Sequence, residues 1–133
     1  MQNKKVDFII KNIEHYFGFL FDRGYKIRHA EYSPQFNGNW VVELESSNCV
    51  IYITKDRNDL LLEFSSLRDR NPRNRIVIEK MIYLLSNGQT IIEPFKGNLA
   101  WGKKKQFERL SSLLREYIDQ ITSYFGADNV KSN

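Results

Sequence analysis

The chain contains one cysteine, Cys49, among 133 residues, so no internal disulfide forms. A lone thiol suits a reducing compartment, and the cytoplasm is the expected location. Glycine (7) and proline (3) are scarce, which excludes collagen-like and low-complexity chains. No run of 18 apolar residues occurs, so nothing reads as a membrane span. The N-terminus does not read as a secretory signal. The apolar run behind Lys4 and Lys5 is broken by Lys11, Asn12, Glu14 and His15, and no small-residue cleavage site follows. A large charge of one sign is missing too, with 20 Lys+Arg against 16 Asp+Glu.

Hydrophobic residues make up 41% of the chain, and 9 Phe, 7 Tyr and 2 Trp supply bulk for a core. Residues 1–133 read as a single domain, of ordinary size for one. The charge is unevenly spread. Between Ser66 and Lys105 stand nine basic and three acidic residues, against eleven and thirteen in the remainder. The whole positive excess therefore lies in the middle of the chain, either as a contact surface for an acidic partner or as solvated loops.

Val6, Ile9, Ile10, Ile13, Phe17 and Leu20 follow helical spacing, with Gly24 placed to end the helix. Four strand candidates follow: Lys26–Tyr32, the alternating set around Trp40, Val42 and Leu44, the β-branched Asn48–Thr54, and Leu60, Leu62 and Phe64. Asn37-Gly38, Ser46-Ser47-Asn48 and Asp56-Arg57-Asn58-Asp59 are hairpin links, too short for parallel crossovers. A basic stretch, Arg68–Arg75, precedes helical spacing at Ile78, Met81, Ile82 and Leu85, closed by Asn87-Gly88. Asn71 or Asn74 is a candidate cap, and Ile76-Val77-Ile78 is open to strand or helix. Gln89–Gly102 reads as irregular, with a short extended piece at Thr90–Glu93. The last helix opens at Lys103 and carries a seam of Phe107, Leu110, Leu114, Tyr117, Ile121 and Tyr124, with Gly126 as its end and 127–133 as a frayed tail.

The expected architecture is α+β: an N-terminal helix, a four-stranded antiparallel meander and two C-terminal helices packed on one sheet face. Val41, Ile51 and Ile53 are less polar than a fully wet opposite face requires, so either the meander curls or part of that face meets a partner.

Few residues carry chemistry. Gly97-Asn98-Leu99-Ala100-Trp101-Gly102-Lys103 fits the start of a phosphate-binding loop, but Lys104 stands where Ser or Thr must hold Mg²⁺, and no parallel βαβ unit surrounds it. His15 and His29 lack metal-ligand spacing, although Glu31 shares a face with His29. Cys49 among β-branched neighbours reads as a small buried hydrophobe with a raised pKa. Glu43, Glu45 and Glu63 fall on solvated strand positions and do not pair as catalytic carboxylates. No metal or cofactor and no catalytic residue is expected.

The helix end Phe17-Gly18-Phe19-Leu20-Phe21-Asp22-Arg23-Gly24-Tyr25 runs into a strand. With Trp40-Val41-Val42-Glu43-Leu44-Glu45-Ser46 and Val50-Ile51-Tyr52-Ile53, it resembles a diffuse group of small bacterial α+β proteins. Some of these are similar to the immunity proteins of polymorphic toxin systems. The likeness spans roughly residues 8–65 and rests on pattern. It implies a non-catalytic protein that binds and blocks a partner. The +4 charge departs from the acidic character of nuclease inhibitors, so a toxin target is expected to present an acidic or apolar surface.

The expected function is protein–protein contact, with a toxin, another protein or a second copy as partner and no membrane involved. The expected contact residues are Arg68, Arg70, Arg73, Arg75, Trp101, Lys103, Lys104 and Lys105, since Arg and Trp are enriched at binding hot spots. The same residues serve the alternative, nucleic-acid binding, with lysines and arginines on phosphates and Trp101 or Phe95 stacked on a base.

Overall fold

A computed structural model describes residues 4–36, 38–93 and 102–131. The fold is α+β, with one antiparallel sheet covered on one face by helices. Helix α1 (Lys4–Phe17) buries Ile9, Ile13 and Phe17 at helical spacing, then tightens into a 3₁₀ turn over Gly18–Arg23. Gly24 ends that turn with φ at 87°, a backbone state that glycine adopts without a Cβ clash. The α-helix thus stops seven residues before the expected glycine, which closes the 3₁₀ segment instead.

Strands β1 (Lys26–Ser33), β2 (Asn39–Glu45), β3 (Cys49–Asp56) and β4 (Asp59–Ser66) form the expected meander. A fifth strand, β5 (Ile76–Val77), adds to β4 opposite Glu63 and Phe64, so the sheet has five strands in sequential order. The Ile76–Ile78 ambiguity resolves by division: two residues pair with the sheet and Ile78 opens helix α2 (Ile78–Leu85). Neither candidate cap serves that helix. Asn71 accepts from the Arg73 amide and caps the 3₁₀ turn Pro72–Asn74, whereas Val77 precedes α2 without a side-chain cap. Asn87 and Gly88 close α2 with φ of 54° and 80°. Thr90–Glu93 forms no strand.

The hairpin turns follow their sequence chemistry. Ser46 Oγ accepts from the amides of Asn48 and Cys49, and Arg57 takes the left-handed conformation at φ 60° while its amide donates to Asn39 Oδ1 at 2.7 Å. The Asn37 half of the Asn37-Gly38 link lies outside the described residues.

Helix α3 (Lys103–Lys131) is the long cover of the sheet and runs past Gly126, where its end was expected. Residues 127–131 belong to this helix. Its buried side chains are Phe107, Leu110, Leu114, Ile118, Ile121 and Phe125. The expected seam through Tyr117 and Tyr124 repeats every 3.5 residues, as in a coiled coil. A straight helix turns every 3.6, so its buried line drifts to Ile118 and Phe125. Tyr124 is left 42% exposed.

Register fixes the two sheet faces. Val42 and Leu44 stand opposite Ile53 and Ile51, which stand opposite Leu62 and Phe64. All six are fully buried against the helices, so Ile51 and Ile53 belong to the core and not to the outer face where they were expected. Each such side chain contributes about 1.5–3 kcal/mol by leaving water.

Candidate functional site

The face of the sheet turned away from the helices is organised in rows, because residues opposite one another on paired strands share a face. Lys26, Glu45, Val50 and Ser65 make one row. The next is His29, Glu43, Tyr52, Glu63 and Val77, and the third is Glu31, Val41, Thr54 and Leu61. Asp56 opposite Asp59 closes the hairpin end.

Half of this face is covered by the chain itself. Val50 and Tyr52 are 1% and 2% exposed although they point away from the core. The Arg75 guanidinium lies 3.6 Å from the centre of the Tyr52 ring, a desolvated cation–π contact of about 2 kcal/mol. The Tyr52 hydroxyl meets Ser65 Oγ at 3.0 Å. Arg70 reaches across to Glu45 at 2.8 Å. The segment that carries these arginines is folded by short local bonds. Asp69 accepts from the Asn71 amide and the Asn74 side chain, and Asn71 accepts from Arg73.

The expected contact residues therefore divide. Arg68 and Arg73 are exposed, Arg70 is tied to Glu45, and Arg75 is packed on Tyr52. At the other end, Lys103 Nζ donates to the Asn58 carbonyl at 2.8 Å, and Lys104 and Lys105 are exposed on the first turn of α3. Trp101, Phe95 and the glycine-rich stretch 97–101 lie outside the described residues. The two basic segments do not form one patch. One crosses the outer face beside Glu45, and the other sits on the helix side beside the β3–β4 turn. They are separated by about 20 Å of strand as well as by the thickness of the sheet.

The strand positions of the outer face are predominantly acidic. Register places six carboxylates on the whole face, those of Glu31, Glu43, Glu45, Asp56, Asp59 and Glu63. Among the register-paired positions of this face the cation is Lys26; Arg70 and Arg75 reach its covered half, and Lys55 lines the open groove. Val41, Thr54 and Leu61 run between Glu31 and Asp56 along a groove of about 230 Å³, with Leu61 38% exposed. The sequence marks Glu43, Glu45 and Glu63 as solvated. What it leaves out is the register that sets them side by side.

Other groups are accounted for within the fold. Cys49 is fully buried, with Sγ 3.1 Å from the Tyr25 hydroxyl, which also meets Thr122 Oγ1 at 2.8 Å. Burial pushes the thiol up to about 11, against the opposing hydrogen bonds from Tyr25 and Ser46, so at neutral pH it is a neutral thiol and a poor nucleophile. Burial likewise raises Tyr25 above the usual phenol range, reinforced by Cys49. His29 lies 3.5 Å from Glu31, and His15 packs edge-on against Tyr16. Among the described residues, no group of three His, Cys, Asp or Glu side chains is placed to hold a metal ion. No described helix is long and apolar enough to cross a membrane. One buried polar residue has no precedent in the sequence reading: Gln106 accepts from the Leu60 amide at 2.8 Å and donates to the Asn58 carbonyl at 2.7 Å, which clamps the β3–β4 turn to α3.

In comparisons with known proteins, no family model, no curated protein and no solved structure matches this chain.

Proposed function

We propose that this protein is a non-catalytic module that binds a basic protein surface through the open half of its outer sheet face. The observation that carries the reading is the charge segregation: in a chain of net +4, the register-paired positions of one sheet face hold six carboxylates and one lysine. The exposed Leu61 and the half-buried Val41 supply an apolar centre inside a charged rim, the ordinary anatomy of a transient interface. Complementary charge steers such an encounter and rejects partners of the wrong sign more than it adds affinity.

The reading keeps the mode of action that the immunity-protein resemblance implies, which is to cover a partner's working surface. It also removes the conflict with overall charge, because a nuclease-type toxin meets the face and not the average. The basic residues first expected to grip a partner then have another role: Arg70 and Arg75 hold the neighbouring half of the face closed.

The test starts with capture from lysate of cells that express the protein natively, followed by calorimetry with the purified captured protein. Glu31→Lys with Leu61→Lys changes two exposed positions of one row. The expected result is a basic partner whose affinity falls steeply with salt and drops at least tenfold for the double variant. Unchanged affinity in that variant, or a partner that binds independently of salt, overturns the proposal.

A further inference from the structure

We propose that the cleft between α1, the β3–β4 end of the sheet and the first turn of α3 binds a small ligand with an apolar body and an anionic head. This site opens on the helix side of the sheet and shares Trp40 and Lys55 with the groove of the outer face, but its binding does not require the proposed protein partner.

The cleft encloses about 310 Å³, within the range of sites for small organic ligands. Its wall is aromatic. Tyr16 stacks on Phe107 with centroids 4.8 Å apart and planes within 5°, and Trp40 continues the stack at 6.2 Å and 12°. Phe8 stands at the opening, 66% exposed, an unusual cost for a phenyl ring on the apolar side of a helix unless something packs against it. Ile9 and Asn12 complete the α1 side.

Three lysines converge on this apolar wall: Lys55 from β3, and Lys103 and Lys104 from α3. Two are fixed by the fold. Lys55 Nζ donates to the Gly38 carbonyl at 3.3 Å, and Lys103 Nζ donates to the Asn58 carbonyl at 2.8 Å. Lys103 keeps two further N–H donors beyond that bond. The lysines are near enough that burial first and Lys103 second hold Lys55 below the usual ammonium range, with Asp56 acting in the opposite sense. Like charges gathered beside apolar surface disfavour one another unless an anion sits between them. A carboxylate or phosphate head among the lysines, with its apolar body along Phe8, Tyr16 and Phe107, satisfies both halves of the site.

Two sources share that chemistry, an acyl chain and a flat aryl ring. Calorimetry on the native chain with decanoate, decanol, octanoate, 2-naphthoate and inorganic phosphate separates them. Decanoate is expected to bind at least tenfold more tightly than decanol, and about tenfold more tightly than octanoate, which lacks two methylenes. Tighter binding of 2-naphthoate than decanoate assigns the site to aryl anions, and the reverse order to acyl anions. Inorganic phosphate alone is expected to give no measurable heat. Lys55→Gln with Lys103→Gln keeps a donor for each carbonyl while removing two charges, and it should bring decanoate and decanol within about twofold of each other. Arg73→Ala, in an exposed turn outside the cleft, should change nothing. Equal affinity for decanoate and decanol on the native chain overturns the proposal, as does the lack of binding by either organic anion at millimolar concentration. That head-group comparison decides the matter whether or not the double variant folds.

Discussion

The two faces of the sheet use their side chains differently. On the helix side, burial follows alternation: Val42, Leu44, Ile51, Ile53, Leu62 and Phe64 meet the helices and exclude water. On the outer side, burial follows charge. Tyr52 is covered by Arg75, whose guanidinium lies over its ring, and Arg70 crosses to Glu45 beside the buried Val50. An arginine-rich stretch, which sequence composition presents as an outward-facing patch, is in part the lid of a second small core. The remainder of that face, with Glu31 and Leu61 in one row, is open to solvent.

The comparison breaks first on the helix side. Leu114→Ala removes a fully buried side chain from the main core and should cost about 2–5 kcal/mol, read by denaturant unfolding. A loss under 1 kcal/mol there means that α3 does not hold the sheet as described. The Cys49 site gives the next effect, through pH. The folded state holds the thiol neutral, with its pKa moved from 9.0 to about 11, so this stabilisation is complete below about pH 9 and is lost as pH rises toward 11. Unfolding free energy should fall by about 2–3 kcal/mol over that window. Cys49→Ala should flatten the profile in part, with Tyr25 responsible for what slope remains. A profile identical in the two proteins contradicts the buried-thiol account.

On the outer face, Arg75→Ala uncovers Tyr52 and should cost about 1–2 kcal/mol. The smallest effect sharpens the contrast within the same segment. Arg73 is exposed, and its replacement by alanine should shift stability by less than about 0.5 kcal/mol. If Arg75 behaved like Arg73, the cover over Tyr52 would have no energetic content.

Much of the fold is legible in the sequence because local periodicity writes it. Alternation around Trp40 to Glu45, and turn residues at Ser46–Asn48 and Asp56–Asp59, lead directly to the meander. What is not legible depends on long-range register. Two residues, Ile76 and Val77, are too short a run to mark a strand, and only the free edge of β4 makes them one. The seam of α3 is misread at Tyr117 and Tyr124 because both neighbouring positions are apolar, and only the flat sheet beneath selects Ile118 and Phe125. The candidate site is less legible still. Glu31 and Leu61 are thirty residues apart in the chain and meet in one row only through β2 and β3. The basic residues are conspicuous in sequence for the opposite reason: they are close together along the chain, whereas the partners that occupy Arg70 and Lys103, Glu45 and Asn58, are remote from them.

The central claim is that recognition resides in the open half of the outer face around Glu31 and Leu61, while Arg70 and Arg75 beside it serve the fold. Its most direct test is the affinity of the purified partner for Glu31→Lys/Leu61→Lys set beside that for Arg68→Ala/Arg73→Ala. The account predicts at least a tenfold loss for the first pair at unchanged unfolding free energy, and no loss for the second. Full affinity in the first pair together with loss in the second would contradict it.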